Sequence, residues 1–445
     1  MRRLVSMLAM FFLGGACHSP VPAAPATIAT SPPRAVSASQ PGSAAPPAPP
    51  ALVVRPDPPP PLADDLRGLA ASNNAFGLDL FAKIRTQKGN LALSPLSLST
   101  ALTMTWAGAR GETAEQMKKV LHLEGTTEHV LALTGKLVAS YQDPALKVTL
   151  RLANRLFGEK TFSFRQPFLY SLGTAFGAPL EPVDFRGAPD ASRQHINAWI
   201  AEATEDRIKD LIPPASVDAD TCLVLTNAIY FLGMWPLPFF QQNTKAAAFH
   251  PTPSESKDVP TMHIVHEFRV AALDGVKLLE LPYRGGALAM TLVLPEQQGG
   301  LEAVEARLVR ATLDGWLAEL AMARVDVALP KFEINPLAPL ALNKTLITLG
   351  MPLVFDPKKA DLTGIAPGGL HVSQVFHKAF IKLDEKGTEA AAAAAAVLVG
   401  SKVRRGPPPP PRAEFHADHP FLFFLRDVRS GMILFMGRVS DPTAK

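Results

Sequence analysis

Between residues 66 and 86, Leu69, Phe76, Leu80 and Ile84 recur at roughly helical spacing, which predicts a helix with one apolar face. Helical patterns dominate to about residue 140. Ser94 followed by Pro95 predicts a helix start, and Thr113 with Gln116 has the spacing of a capping box. After Val148 the pattern mixes strands with helices, one of them expected at residues 190–204. Residues 221–240 are as long and apolar as a membrane span, yet Asn227, Gly233, Pro236 and Pro238 interrupt them. Their β-branched and aromatic character predicts instead a central strand buried on both faces, with Trp235 and Phe239 in the core. Near the C-terminus, FHADHPFLFFL (415–425) predicts a buried strand led in by a polar turn, and GMILFMGRV (431–439) its hairpin partner.

One stretch breaks these rules. From residue 385 the chain reads EKGTE, then unbroken alanine from Ala390 to Ala396, then VLVGSKVRR and a proline block. Alanine is a poor strand former that buries little surface, and an isolated alanine helix this short is marginal. Small side chains can, however, slide between two existing strands without clashing. The absence of proline from 387 to 405 fits that use, since proline cannot donate to a central ladder. Low complexity is the plainer account of polyalanine followed by polyproline, but strands predicted on both sides tether this loop at each end.

The EKGTEAAAA hinge and the FHADHPFLFFL block together resemble the serpin family of protease inhibitors. The resemblance runs from about residue 68 to the end, through NLALSPLSLSTALTMTWAGARGETAEQM (90–117), LVLTNAIYFLGMW (223–235) with Phe239 and Thr244, VALPKFEI (327–334) and HKAFIKLDEKGTE (377–389). It implies an α+β fold of three mostly antiparallel β-sheets with eight or nine helices and an exposed reactive loop at about 385–412. The implied activity is suicide-substrate inhibition of serine, or alternatively cysteine, endopeptidases. The protease cuts the loop and forms its acyl-enzyme, and the freed arm inserts as a new central strand, trapping the covalent complex. The chain itself is then not an enzyme. At about 3.3 Å per residue, an arm from Glu385 to Ser401 spans on the order of 55 Å, enough to carry a tethered protease across a domain.

The resemblance also implies roles for residues. Glu385, Gly387, Thr388, Glu389, Ala390 and Ala392 form the hinge, with Thr388 and alternate alanines up to Ala396 turned beneath the sheet. Ser94, Ser97, Asn227 and His377 form a polar cluster where the central strands part. Lys331 and Glu385 form an ion pair above it, beside Trp235 and Thr244. Counting the family's usual arm length from Glu385 places the scissile bond between Ser401 and Lys402. Alignment backwards from Phe415 favours Arg404 or Arg405 instead. A non-inhibitory carrier or chaperone of the same family would carry bulky or charged inward residues in the hinge, and this hinge has none. A surface-binding protein would account for the N-terminal tether but not for the small-residue arm.

Composition changes the picture little. The chain has 445 residues, enough for one large core or two ordinary ones, and its net charge of +4 comes from 44 basic and 40 acidic residues. So balanced a mixture, without a basic stripe, argues against a nucleic-acid partner. The N-terminus says more. Arg2 and Arg3, an apolar run from Leu4 to Leu13, and small residues Gly14 to Ala16 predict a signal peptide over 1–16. Cleavage before Cys17 would resemble bacterial lipoprotein processing, although the leucine usually three residues before the cysteine stands four before it, at Leu13. An exported protein is expected, either an envelope lipoprotein touching the membrane only through Cys17, or an extracellular one. Residues 17–62, rich in proline, alanine and serine, predict an extended tether, with the folded domain at 63–445. A monomer is expected, and a Cys17–Cys222 disulfide is not.

Other constellations read as structural. Ser254 and Lys257 have the spacing of an acyl-transfer nucleophile and base but lie in a polar loop without partner motifs. His263 with His266, and His416 with His419, lack a third ligand and read as strand or turn histidines, so no metal site is predicted. Nothing implies a cofactor.

Overall fold

The computed structural model describes residues 64–177, 180–388 and 413–444. Helix α1 (Asp64–Ile84) lies two residues earlier than its periodicity suggests and buries Phe76, Leu80, Phe81 and Ile84. Helix α2 (Pro95–Trp106) starts where Ser-Pro predicts, and the Ser94 hydroxyl accepts from the Ser97 N–H at 3.1 Å. The capping box expected at α3 (Gly111–Val120) does not form. Its Thr113 hydroxyl accepts instead from the Asp361 N–H, and the Gln116 side chain accepts from the Leu353 N–H. Backbone donors from a distant segment have taken both caps. Helices α4 (Thr127–Ser140), α5 (Gln166–Phe176), α6 (Pro189–Ala203), α7 (Leu301–Ala306), α8 (Arg310–Ala318) and α9 (Asn343–Leu349) complete the helical set among the described residues.

The strands form two hydrogen-bonded networks. The first runs β10 (Phe332–Ile334), β12 (Gln374–Asp384), β13 (Gly387–Thr388), β4 (Leu223–Met234), β2 (Val148–Glu159) and β3 (Glu181–Val183), with β11 (Leu340–Ala341) also on β12. The second runs β1 (Leu91–Leu93), β16 (Ile433–Val439), β15 (Phe421–Asp427), β8 (Leu288–Pro295), β7 (Val276–Pro282), β6 (Glu255–Leu273), β9 (Ala321–Pro330) and β14 (Ala413–His416), with β5 (Lys245–Thr252) also on β6. Two of the three sheets anticipated from the sequence are joined because the 19-residue β6 continues from one into the other. The VALPKFEI segment is likewise divided: β9 ends at Pro330 in the second network, β10 begins at Phe332 in the first, and Lys331 stands at the crossing.

Burial explains why β4 reads as an unbroken apolar run. Val224, Ala228 and Tyr230 pack beneath α6 and its following connector, against Ile196, Ile200, Ile208 and Ile212. Ile229 and Phe231 point the other way, into the core shared with Phe332, Phe423 and Phe435 of the two networks. A strand covered on both faces needs no polar alternation. No helix among the described residues is long and apolar enough to cross a membrane.

Candidate functional site: the seam between two central strands

Strands β12 and β4 lie side by side in parallel, paired directly from Gln374–Val224 to Phe380–Tyr230. Beyond that point β13 sits between them, with Thr388 opposite Leu383 on one side and Gly233 on the other. The hinge therefore enters the sheet in the resting molecule. Two glycines make the entry possible. Gly387 has φ +149°, and a Cβ on it would fall 2.0 Å from the Gly233 carbonyl oxygen; a Cβ on Gly233 would meet Phe231 at 2.6 Å and Tyr283 at 2.7 Å. Thr388 is fully buried, and its hydroxyl shares a 2.5 Å hydrogen bond with the Tyr283 hydroxyl. Burial pushes the Tyr283 hydroxyl's pKa up, so it stays neutral.

Above this entry Lys331, Glu385, Thr244 and Trp235 lie together. Lys331 Nζ lies 3.0 Å from Glu385 Oε2, and the Thr244 hydroxyl donates to Glu385 Oε1 at 2.9 Å. Burial alone would raise the Glu385 carboxyl; its own backbone N–H, Lys331 and Thr244 outweigh that and hold it below the usual carboxylate range. The Trp235 indole donates to the Asp384 carbonyl at 3.2 Å, and the Trp235 and Phe239 N–H groups donate to the Lys386 and Glu385 carbonyls, both at 2.9 Å. Trp235 stacks on Tyr283 with ring centroids 4.5 Å apart. The foot of the loop is thus fastened by backbone, charge and aromatic contacts at once.

Below the entry, Ser94, Ser97, Asn227 and His377 are all fully buried and joined in one network. The Ser94 N–H donates to His377 Nε2 at 3.0 Å, so that nitrogen carries no proton and Nδ1–H donates to Asn227 Oδ1. Asn227 Nδ2 donates to Asn154 Oδ1 at 2.9 Å, and Asn154 exchanges bonds with the Ser97 hydroxyl and carbonyl. The Ser94 hydroxyl donates to the Leu434 carbonyl on β16, tying the seam to the other network. Burial pushes His377 down to about 3, outweighing its bond to Asn227. Sequence reasoning missed Asn154. Its signal was there: Asn154, Asn227 and His377 are register partners across β2, β4 and β12, a polar rung in an apolar sheet.

Glu389, Ala390, Ala392, Ser401, Lys402, Arg404, Arg405 and Cys17 lie outside the described residues. Cys222 is buried just ahead of β4, and burial pushes its thiol pKa up. Ser254 bonds to Thr252 in the β5–β6 turn, while Lys257 pairs with Asp441 at 2.5 Å, so the two do not form a nucleophile and base. His263 and His266 lie on β6 and His416 on β14; His419 bonds to Asp418 and to the Pro295 carbonyl.

Comparison with known proteins agrees with this geometry. The family model described as serpin (serine protease inhibitor) matches residues 71–442. Human Serpin B3 is 38% identical over 398 residues, covering 85% of this chain and 100% of its own. Human leukocyte elastase inhibitor is 38% identical over 385 residues, covering 84% and 99%. Among solved structures, Serpin48 of the insect Tenebrio molitor, described as a highly specific serpin, superposes with a TM-score of 0.74 at 32% identity, covering 84% of this chain and 98% of that one.

Proposed function

This chain belongs to the serpin family, and from that premise we propose that it is a suicide-substrate inhibitor of serine, or alternatively cysteine, endopeptidases. The matching family is described as one of serine protease inhibitors, not of enzymes. The observation that carries the inhibitory reading is the seating of Thr388: the first inward residue of the arm is already buried between β12 and β4. The residues that would follow beneath the sheet, Ala390, Ala392, Ala394 and Ala396, are small enough to continue the same path. A protease cutting the loop would release the arm while acylated, and insertion along the seam would draw it away before hydrolysis completes.

The scissile bond we favour joins Ser401 and Lys402, suited to a protease that accepts a small residue; Arg404 and Arg405 are the alternatives for a trypsin-like enzyme. We also propose export, a mature chain beginning at a lipidated Cys17, and a tether over 17–62 that holds a monomeric inhibitory domain away from the membrane. Support for these comes from the sequence patterns described above. The test is incubation of residues 63–445 with a panel of serine proteases. A covalent complex should survive denaturing electrophoresis, and sequencing the released C-terminal peptide should identify the bond. Free turnover of every protease, with the loop simply digested, would overturn inhibition.

A further inference from the structure

Away from the seam, α4, α5 and the Thr363–Gly364 turn line an open cavity of 1030 Å³, at the upper end of the size of sites that take small ligands. The two helices touch where Gly135 meets α5, since a Cβ there would fall 2.3 Å from the Ala175 carbonyl oxygen. Leu131 and Phe168 give the cavity apolar walls. At the end formed by Thr363 and Gly364 stand two arginines. Arg110 Nη1 donates to the Ala107 and Ala109 carbonyls at 3.1 and 2.6 Å, and Arg165 Nε donates to the Thr363 carbonyl at 2.5 Å. Gly364 leaves room for the first guanidinium, because a Cβ on it would fall 2.6 Å from Arg110 Cζ. Backbone carbonyls thus fix both heads, and neither arginine pairs with a carboxylate among the described residues. Lys136 adds a further positive charge at the rim, and among the described residues Glu128 is the one acidic side chain that lines it.

We infer that this cavity binds a single-chain carboxylate of the fatty-acid type, its acid head between Arg110 and Arg165 and its chain over Leu131 and Phe168. Two preoriented guanidinium groups match a carboxylate's paired oxygens. Beside them the trough is lined in part by Leu131, Ala132, Ala139, Pro167 and Phe168, an apolar surface that suits a hydrocarbon chain, whose burial is favourable. A neutral alcohol would satisfy only the trough, and a cationic amphiphile would meet like charge at its end.

The test uses the full chain and dansyl-undecanoate as a fluorescent probe, with dodecanoate, dodecanol and dodecylammonium as competitors. Dodecanoate should displace the probe and the other two should be much weaker. Arg110→Gln combined with Arg165→Gln should weaken probe binding by about tenfold or more. Ala132→Trp, which fills the cavity from an exposed position, should abolish it while an unchanged thermal midpoint reports an intact fold. Absence of probe binding, equal competition by dodecanol, or full binding by Ala132→Trp would each overturn the assignment. So would binding to anionic phospholipid vesicles without binding of the free carboxylate.

Discussion

Asn227 on β4 and His377 on β12 face each other in register, and the hydrogen bond from His377 Nδ1 to Asn227 Oδ1 joins the two strands that the proposed inserting arm would have to separate. The bond requires the neutral Nδ1–H tautomer, because Nε2 is occupied by the Ser94 N–H. Protonation would put a second proton where a donor already points.

That arrangement sets a pH dependence. His377 is pushed down to about 3 in the folded protein, against about 6.5 when unfolded. Its contribution is complete above about 6.5 and is lost as pH falls from there toward 3, because only the unfolded state takes up the proton. The slope from this one group reaches on the order of 1.4 kcal/mol per pH unit. Urea unfolding of the wild type and of His377→Gln between pH 7 and pH 4.5 should show a steeper decline for the wild type. Parallel curves would mean that another group controls acid stability.

The hinge gives a sharper functional test. Replacing Thr388 with arginine would bring a charge against Tyr283, Phe231 and Gly233, where burying it unpaired costs several kcal/mol in order-of-magnitude terms. Insertion should slow, so the protease should finish hydrolysis first and the variant should behave as a substrate. Complex yield and inhibition stoichiometry measured against the wild type check this. An unchanged yield would count against insertion as the trapping step.

Much of this seam was legible in the sequence, and the limits have physical causes. Ser94, Ser97, Asn227 and His377 were legible through the family resemblance, and their joining into one buried network follows from the need of buried polar side chains for partners. Asn154 was overlooked because β2 alternates more loosely, and only the register with Asn227 shows its place. Thr113 and Gln116 misled because a local capping pattern cannot reveal that the Asp361 and Leu353 N–H groups will claim both side chains. The division of VALPKFEI at Lys331 was hidden for a similar reason: apolar residues on both sides suit two sheets as well as one strand. The seating of Gly387 and Thr388 in the resting sheet also could not be read from composition, since it depends on the space left by Gly233.

The ion pair at the foot of the loop should contribute modestly. Lys331 is partly exposed, so screening reduces the value of its charge. Glu385→Gln keeps an acceptor for Thr244 and removes the charge, and a loss of about 1 kcal/mol or less is expected. Glu385→Lys should cost more, because it places two ammonium groups together and leaves the Thr244 hydroxyl without its carboxylate. Denaturant midpoints for the two variants should fall in that order; the reverse order would show that charge at this site is unimportant.

The anchor is tested separately from inhibition. Full-length protein expressed in a bacterial host should partition into detergent when its N-terminus is processed at Cys17, and Cys17→Ser should move it to the aqueous phase. Aqueous partitioning of the wild type would remove the lipid anchor and leave the inhibitory reading untouched.

Cleavage itself should reveal whether the sheet holds stored strain. Nicking an exposed loop normally leaves stability unchanged or lower, because it frees chain ends without adding contacts. Here β4 and β12 pair directly up to Tyr230 and Phe380, and β13 has already begun to separate them. Once cut between residues 400 and 405, the arm from Thr388 to about residue 399 can continue along that path as a central strand. It would exchange one parallel pairing for two antiparallel ones, with hydrogen bonds along both edges. The His377–Asn227 bond would be broken in the process, at a cost of about 1 to 3 kcal/mol if neither group found a new partner. A full strand's ladder on two sides outweighs that. The thermal midpoint of the cleaved protein should therefore rise by tens of degrees, on a scale where about 1 kcal/mol moves a large domain by a few degrees. Calorimetry of intact and singly nicked protein measures this directly, and an equal or lower midpoint after a verified cut would eliminate insertion as the source of inhibition.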